Sequence, residues 1–341
     1  MALLVLCGAL LGAAHIAGQE HSGSVRHRSS VVLRASDRTS PSGPSLTASH
    51  CLASTSKTLA SVDGNVAERI YIDELKGPAT IADKHQVEEY GPLLAALSEG
   101  DRTAVEEAVT ALVYSHTHIV RLRVSQGGSL LADVGGQYII APVGGSLHFH
   151  ARPVGSYLLS VQDDLGFVGL EKRLIGMPLA LHANHTRVPV NGTLDTGSVA
   201  LPSRGEVTIH RISYQTYSFN AQAYPTGSLR ISLLLPPQRQ STHSCAAVKV
   251  AELGRIGHRI WNRFVIDKSS ITGFVTFAQG HTGSLVYVRA GSRQIAGSTR
   301  LGPPRLPKSG TVRYRGKTYG VTSFAAPSSL GALRVYQLVL L

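Results

Sequence analysis

The sequence contains a second copy of part of itself. Leu201-Pro202-Ser203-Arg204-Gly205-Glu206-Val207 recurs as Leu306-Pro307-Lys308-Ser309-Gly310-Thr311-Val312, an offset of 105 residues. The register holds downstream, where Tyr214, Ser218, Phe219 and Ala221 fall on Tyr319, Ser323, Phe324 and Ala326, and upstream, where Gly192 falls on Gly297. After a one-residue deletion, Gly227-Ser228-Leu229-Arg230-Ile231 matches Gly331-Ala332-Leu333-Arg334-Val335. Self-similarity at a fixed spacing means that one structural unit is copied, so the fold has to be a tandem of related modules. Both copies read strand, turn, strand, Gly-containing turn, strand, and period-2 patterning puts Tyr214 and Ser218 on one face.

The 341 residues suffice for two domains of ordinary size. With 35 Gly, 16 Pro and 16% charged residues the chain reads as compact and turn-rich rather than disordered. Ahead of the first copy, Ala104, Val105, Ala108, Val109, Leu112 and Val113 recur at helical spacing with Asp101 in the N-cap position, which predicts a helix over Asp101–Tyr114. The period then drops to two: Val120, Leu122 and Val124 alternate with Arg121 and Arg123, and Gln126-Gly127-Gly128 turns the chain into Leu130–Val134. Further strands are expected over Tyr138–Val143, Ser146–Ala151, Tyr157–Gln162 and Phe167–Ile175. Between the copies, Cys245–Phe264 predicts a helix opening the second module, interrupted or weakened by Gly254 and Gly257.

An uncharged apolar run of signal-peptide length ends just before His15, and residues 1–17 are read as a cleaved signal or an N-terminal anchor. Residues 18–50, rich in Ser, Thr and Gly, are a linker. A first, larger module is expected over residues 51–240 and a smaller one over 241–341. Removing Cys7 with the leader leaves Cys51 and Cys245, which in an exported chain suggest one disulfide; two buried thiols are the alternative.

The net charge of +12 raises nucleic acid as a partner, but the basic residues are scattered and aromatics make up only 6% of the chain, so a solvated basic surface is preferred. His116 with His118, and His148 with His150, could begin a zinc site completed by His182 or His185. No Cys or carboxylate stands at ligand spacing, so these read as surface histidines, and no metal or cofactor is expected. Asp163-Asp164 reads as a turn whose side chains bond the backbone, in preference to an acid–base pair. No nucleophile elbow, zinc-protease, phosphate-loop or dinucleotide motif is present, so an enzyme is not expected. Asn184-His185-Thr186 and Asn191-Gly192-Thr193 fit the glycosylation pattern.

The helix to Tyr114, the strand His118–Val124, Leu131-Ala132-Asp133-Val134-Gly135-Gly136, the Ser160–Gly166 segment and the repeated Tyr-x-x-x-Ser-Phe with its closing Gly-x-Leu-Arg strand together resemble extracytoplasmic sensor domains of the Cache type. The resemblance spans roughly residues 60–341 and is one of layout more than of motif. It implies an α+β fold of two PAS/Cache-like modules, each an antiparallel sheet with preceding helices. It also implies a small ligand, such as an amino acid or carboxylate, held by the first module. The candidate contacts are Arg121, Arg123, Tyr157, Asp163, Asp164, Tyr214 and Ser218. The family's amino-acid-binding aromatic and Arg motif is not found here, so the ligand class stays open. The expectation is a secreted or envelope-associated sensor-like protein without its own output domain, signalling through a membrane partner. A cell-surface adhesion module and an unrecognised secreted hydrolase are the alternatives.

Overall fold

The computed structural model describes residues 55–115, 118–137, 139–239, 241–264, 268–328 and 330–341. Four helices come first: α1 (Thr55–Lys76), α2 (Pro78–Glu88), α3 (Gly91–Glu99) and α4 (Arg102–Ser115). Asp101 caps α4 as its position predicts, its Oδ1 accepting from the Ala104 N–H at 3.1 Å. Strands β1 (Arg121–Gln126), β2 (Ser129–Gly135), β3 (Pro142–Phe149) and β4 (Arg152–Ser160) follow. They form an antiparallel sheet in the order β2-β1-β4-β3. Leu122, Val124, Tyr157 and Leu159 share one face of it and pack into a core with Leu93, Leu97, Val109 and Leu112 of α3 and α4.

A second sheet is built after α5 (Asp164–Leu174) from β5 (Leu179–Ala183), β6 (Thr186–Arg187), β7 (Arg204–Ile209), β8 (Ile212–Gln222) and β9 (Ser228–Leu235). A third follows α6 (Cys245–Phe264) and α7 (Lys268–Thr282) and consists of β10 (Leu285–Ala290), β11 (Arg293–Gly297), β12 (Gly310–Tyr314), β13 (Lys317–Ser328) and β14 (Gly331–Leu340). Their strand orders, β6-β5-β9-β8-β7 and β11-β10-β14-β13-β12, are the same order. The two sheets therefore share one topology over five strands, and the matched sequence segments fall on the last three strands of each. The residues between 121 and 235 build two sheets rather than one, and the α+β layout of helices followed by antiparallel sheets is as expected.

Phe167–Ile175, expected as a strand, is helix α5. Asp163 accepts from the Gly166 N–H at 2.6 Å and starts the helix, and Phe167, Val168, Leu170, Glu171 and Leu174 form its buried stripe at helical spacing. The expected interruption of α6 is also absent. Gly254 and Gly257 lie inside one unbroken helix because it presses on the third sheet there: a Cβ would stand 2.7 Å from the Thr322 side chain and 2.4 Å from that of Gln337. The helix-propensity cost of glycine, about 1 kcal/mol each, is offset by this approach.

One hydrophobic cluster joins α1, α5, α6 and α7 to the facing sides of the second and third sheets, through Ile70, Phe167, Ile231, Trp261, Phe274 and Val335. Each such side chain contributes about 1.5–3 kcal/mol on burial. Alternation sorts the second sheet: Leu229, Ile231 and Leu233 enter this cluster, whereas Arg230, Ser232 and Leu234 face the opposite way, toward the 188–203 connection.

Candidate functional site

On that opposite face the second sheet has an apolar end and a polar end. Ala180, Tyr214, Leu234, Leu194 and Leu201 close the apolar end as a small core. At the polar end a cleft of about 710 Å³ is lined by His182, Arg187, Asn220 and Arg230 with Ser228 and the 197–201 segment. Strand register aligns these side chains. His182 on β5 stands opposite Arg187 on β6 and Arg230 on β9, and Arg230 stands opposite Asn220 on β8. The β5–β6 hairpin closes through Asn184 and His185, both at positive φ, which returns Arg187 beside His182.

The loop over the sheet satisfies these groups only in part. His182 Nε2 lies 3.3 Å from Thr196 Oγ1. Arg230 donates to the Leu201 carbonyl at 3.0 Å and to Ser203 Oγ at 3.1 Å, and Arg187 Nη1 lies 3.3 Å from the exposed Asp195 carboxylate. His182 Nδ1, Arg187 Nε and Arg230 Nε are buried and have no partner. Burial, and then the charges of Arg187 and Arg230, hold the His182 imidazole below its usual range, so it is neutral near pH 7. The Gly197 backbone N–H, and then Arg187, hold Asp195 below the usual carboxylate range. The cleft thus offers two guanidiniums and two imidazoles, those of His182 and His185, with one carboxylate beside Arg187, an arrangement suited to a small anion.

The seven residues singled out from the sequence do not converge on one cavity. Arg121 grips Asp133 with Nε and Nη2, both at 2.9 Å, and Arg123 Nε reaches the same carboxylate at 3.2 Å. Tyr224 lies against this trio, its ring 4.4 Å from the Arg121 guanidinium. Tyr157 points from the other face of that sheet and donates to Glu88 at 2.6 Å; burial and then Glu88 hold its phenol above the usual range. Asp163 is the α5 cap. Asp164 accepts from the Ile139 and Ile140 N–H groups at 3.0 and 3.2 Å, and burial raises its pKa against these bonds. These contacts replace the expected β-turn, because the chain enters a helix at this point. Tyr214 and Ser218 do share the cleft-bearing face, but Tyr214 belongs to its apolar end and Ser218 bonds Ser232 Oγ at 2.8 Å and the Pro202 carbonyl at 3.0 Å.

Of the histidines, His116 lies outside the described residues, and His118 sits in a turn before β1 rather than on the strand. His148 lies on β3, whereas His150 is in the turn after it, with φ 48°. Among the described residues no group of three or more His, Cys, Asp or Glu side chains is placed to hold a metal. Cys51 lies outside the described residues, and Cys245 is the first residue of α6. Sequence reasoning named His182 only as a metal ligand and passed over Arg187, Asn220 and Arg230. The signal for Arg230 was present in the repeated Gly-x-Leu-Arg strand, where Arg334 is its counterpart.

No protein-family model and no curated protein matches the chain. Solved structures similar to it include an extracellular ligand binding receptor from Desulfohalobium retbaense, at 10% identity over 56% of this chain and a TM-score of 0.29; the match takes in 41% of that receptor. The ligand-binding domain of the Pseudomonas fluorescens chemoreceptor CtaA, in complex with L-alanine, matches at 9% identity over 51% of this chain and 93% of its own, with a TM-score of 0.30. The periplasmic domain of Vibrio cholerae LuxQ matches at 9% identity over 85% of this chain and 99% of its own, with a TM-score of 0.15. These neighbours are extracellular or periplasmic ligand-binding and sensor domains. At such identities and TM-scores the likeness assigns no ligand to this chain.

Proposed function

We propose that the chain is an extracytoplasmic sensor-like protein that takes a small anionic ligand, a carboxylate in the first instance, in the cleft over its second sheet. The observation that carries the proposal is that His182, Arg187 and Arg230, each keeping a buried nitrogen without a partner, line one open cleft. Buried polar groups are ordinarily bonded, and leaving one unmet costs about 1–3 kcal/mol. Acceptor oxygens of a bound carboxylate would meet them. The leader-like run over residues 1–17 supports the extracytoplasmic assignment. In this reading the first module spans residues 51–240, Tyr214 and Ser218 shape the floor beside the cleft, and Arg121 with Arg123 braces the first sheet through Asp133. The reading also includes a Cys51–Cys245 disulfide, supported by the two cysteines that remain in the chain once Cys7 leaves with the leader. A crosslinked peptide in a digest run without reduction tests that bond, and recovery of the two peptides separately would remove it.

The adhesion reading expects sheets packed solid, from which the cleft departs. The hydrolase reading needs Asp163 free for chemistry, whereas its carboxylate is engaged at the start of α5. Calorimetric titration of the full chain with amino acids, dicarboxylates and inorganic anions tests the proposal. Saturable binding is expected, weakened tenfold or more, on the order of 1.4 kcal/mol, by Arg230→Gln or Arg187→Gln with the melting midpoint preserved. A folded protein that binds none of these anions overturns it.

A further inference from the structure

The positive charge is concentrated in one module. Residues 268–341 contain ten Lys or Arg and no Asp or Glu, while the other 267 residues contain 23 Lys or Arg against 21 Asp or Glu. The third sheet therefore carries nearly all of the net charge of +12.

The connection from β11 to β12, residues 298–309, crosses the face of this sheet with its carbonyl groups turned inward. Gln294 Nε2 donates to the Thr299 carbonyl at 3.0 Å, the Tyr314 hydroxyl to that of Leu301 at 2.6 Å, Arg289 to those of Pro303 and Pro304, and Ser323 Oγ to that of Lys308 at 2.8 Å. With the backbone held inward, the side chains of Arg300, Leu301, Arg305 and Lys308 are exposed, Leu301 at 76%. Exposed Arg293 and Arg315, at the tips of the flanking hairpins, extend the same charge. Among the described residues no ion pair engages any of these cations. The equivalent connection over the second sheet, residues 188–203, carries one carboxylate and no Lys or Arg, so the cationic loop is particular to the third sheet and not a property of the repeat.

We infer that the 298–309 loop is a docking surface for an anionic phospholipid bilayer, with Arg300, Arg305 and Lys308 on the headgroup phosphates and Leu301 inserted between them. Each cation near such a surface contributes about 1 kcal/mol, and an aliphatic side chain among the cations gains further by entering the interface. Nucleic acid fits less well, because single-strand binding uses aromatic platforms and the large exposed apolar side chain among these cations is the aliphatic Leu301. Among the described residues no helix is long and apolar enough to cross a membrane. The inference stands independently of the cleft ligand.

Cosedimentation of the full chain with vesicles of phosphatidylcholine, with and without added phosphatidylglycerol, tests it. Binding is expected to the anionic vesicles only, and to fall as salt is raised. The double variant Arg300→Gln/Arg305→Gln should bind roughly 25-fold more weakly, about fivefold per charge, and Leu301→Asp should also bind more weakly. Arg102→Gln, on α4, should bind as the parent does. Melting midpoints establish that each variant is folded. Equal vesicle binding by the double variant and the parent overturns the inference. So does duplex DNA binding that outcompetes the vesicles and is indifferent to Leu301→Asp, which would reassign the surface to nucleic acid.

Discussion

His182 and Arg230 stand directly opposite one another across β5 and β9, and each keeps a buried nitrogen without a partner. The charge of Arg230 beside the His182 imidazole shapes how the cleft responds to pH. The imidazole is held neutral by burial and by the two neighbouring guanidiniums. A bound anion favours its protonated form, so proton and anion uptake reinforce one another. Carboxylate affinity should therefore rise as pH is lowered from about 8 to about 5.5, above the range in which a carboxylate ligand itself protonates. His182→Gln should flatten that dependence while retaining binding. An unchanged pH profile in His182→Gln would show that the imidazole does not face the ligand.

The docking of α1 on the second sheet depends on a missing side chain. Gly64 lies over the ring of Tyr217, and a Cβ there would stand 1.9 Å from the ring Cγ. Tyr217 is itself fixed, its hydroxyl donating to the Glu68 carboxylate at 2.6 Å and lying 2.7 Å from the Asn65 side chain on the same helix. Alanine would gain about 1 kcal/mol of helix propensity, but overpacking costs about 1–3 kcal/mol. Gly64→Ala should lower the melting midpoint, and a midpoint at or above that of the parent would refute this close approach.

Glu171 of α5 gives the interior a pH-dependent cost. Both its oxygens are buried without partners, and burial, followed by the charge of Glu74, pushes its pKa from 4.5 up to about 8. In that window the folded state keeps a proton that the unfolded chain releases. Stability contributed by this group is therefore fully present below the unfolded value and is lost as pH rises toward the folded one, by at most about 1.4 kcal/mol per pH unit. Asp63, shifted in the same direction chiefly by burial, is common to parent and variant and cancels in the comparison. Glu171→Gln should remove this slope, so the parent's melting midpoint should fall relative to the variant's between about pH 5 and 8. Parallel stability–pH curves would sink the assignment.

Much of the architecture is legible in the chain because its signals are local. Asp101 and the apolar spacing from Val105 to Val113 place α4, and the matched register from Leu201 to Ile231 reveals the copied sheet. The first two strands of each sheet escape because the copies share little identity there: their likeness is one of strand order and pairing, as where Arg289 opposite Arg334 takes the place of His182 opposite Arg230. Helix α5 escapes because Phe167–Ile175 is too short for its helical spacing to stand out, and its start is marked only by Asp163. The Tyr157 hydroxyl finds Glu88 from 69 positions away, and no local pattern could anticipate that.

The sequence by itself determined that helices precede antiparallel strands and that Arg230 and Arg334 hold matching positions in two similar segments. It also placed all the acidic residues before residue 268. Only the tertiary structure decided which arginines matter. Arg121 and Arg230 both lie on alternating strands, yet Arg121 is closed onto Asp133 whereas Arg230 opens into the cleft beside His182. The difference arises from what lies over each sheet face. The 188–203 loop satisfies only part of the donor set beneath it, and the resulting orphaned nitrogens depend on contacts between segments far apart in the chain.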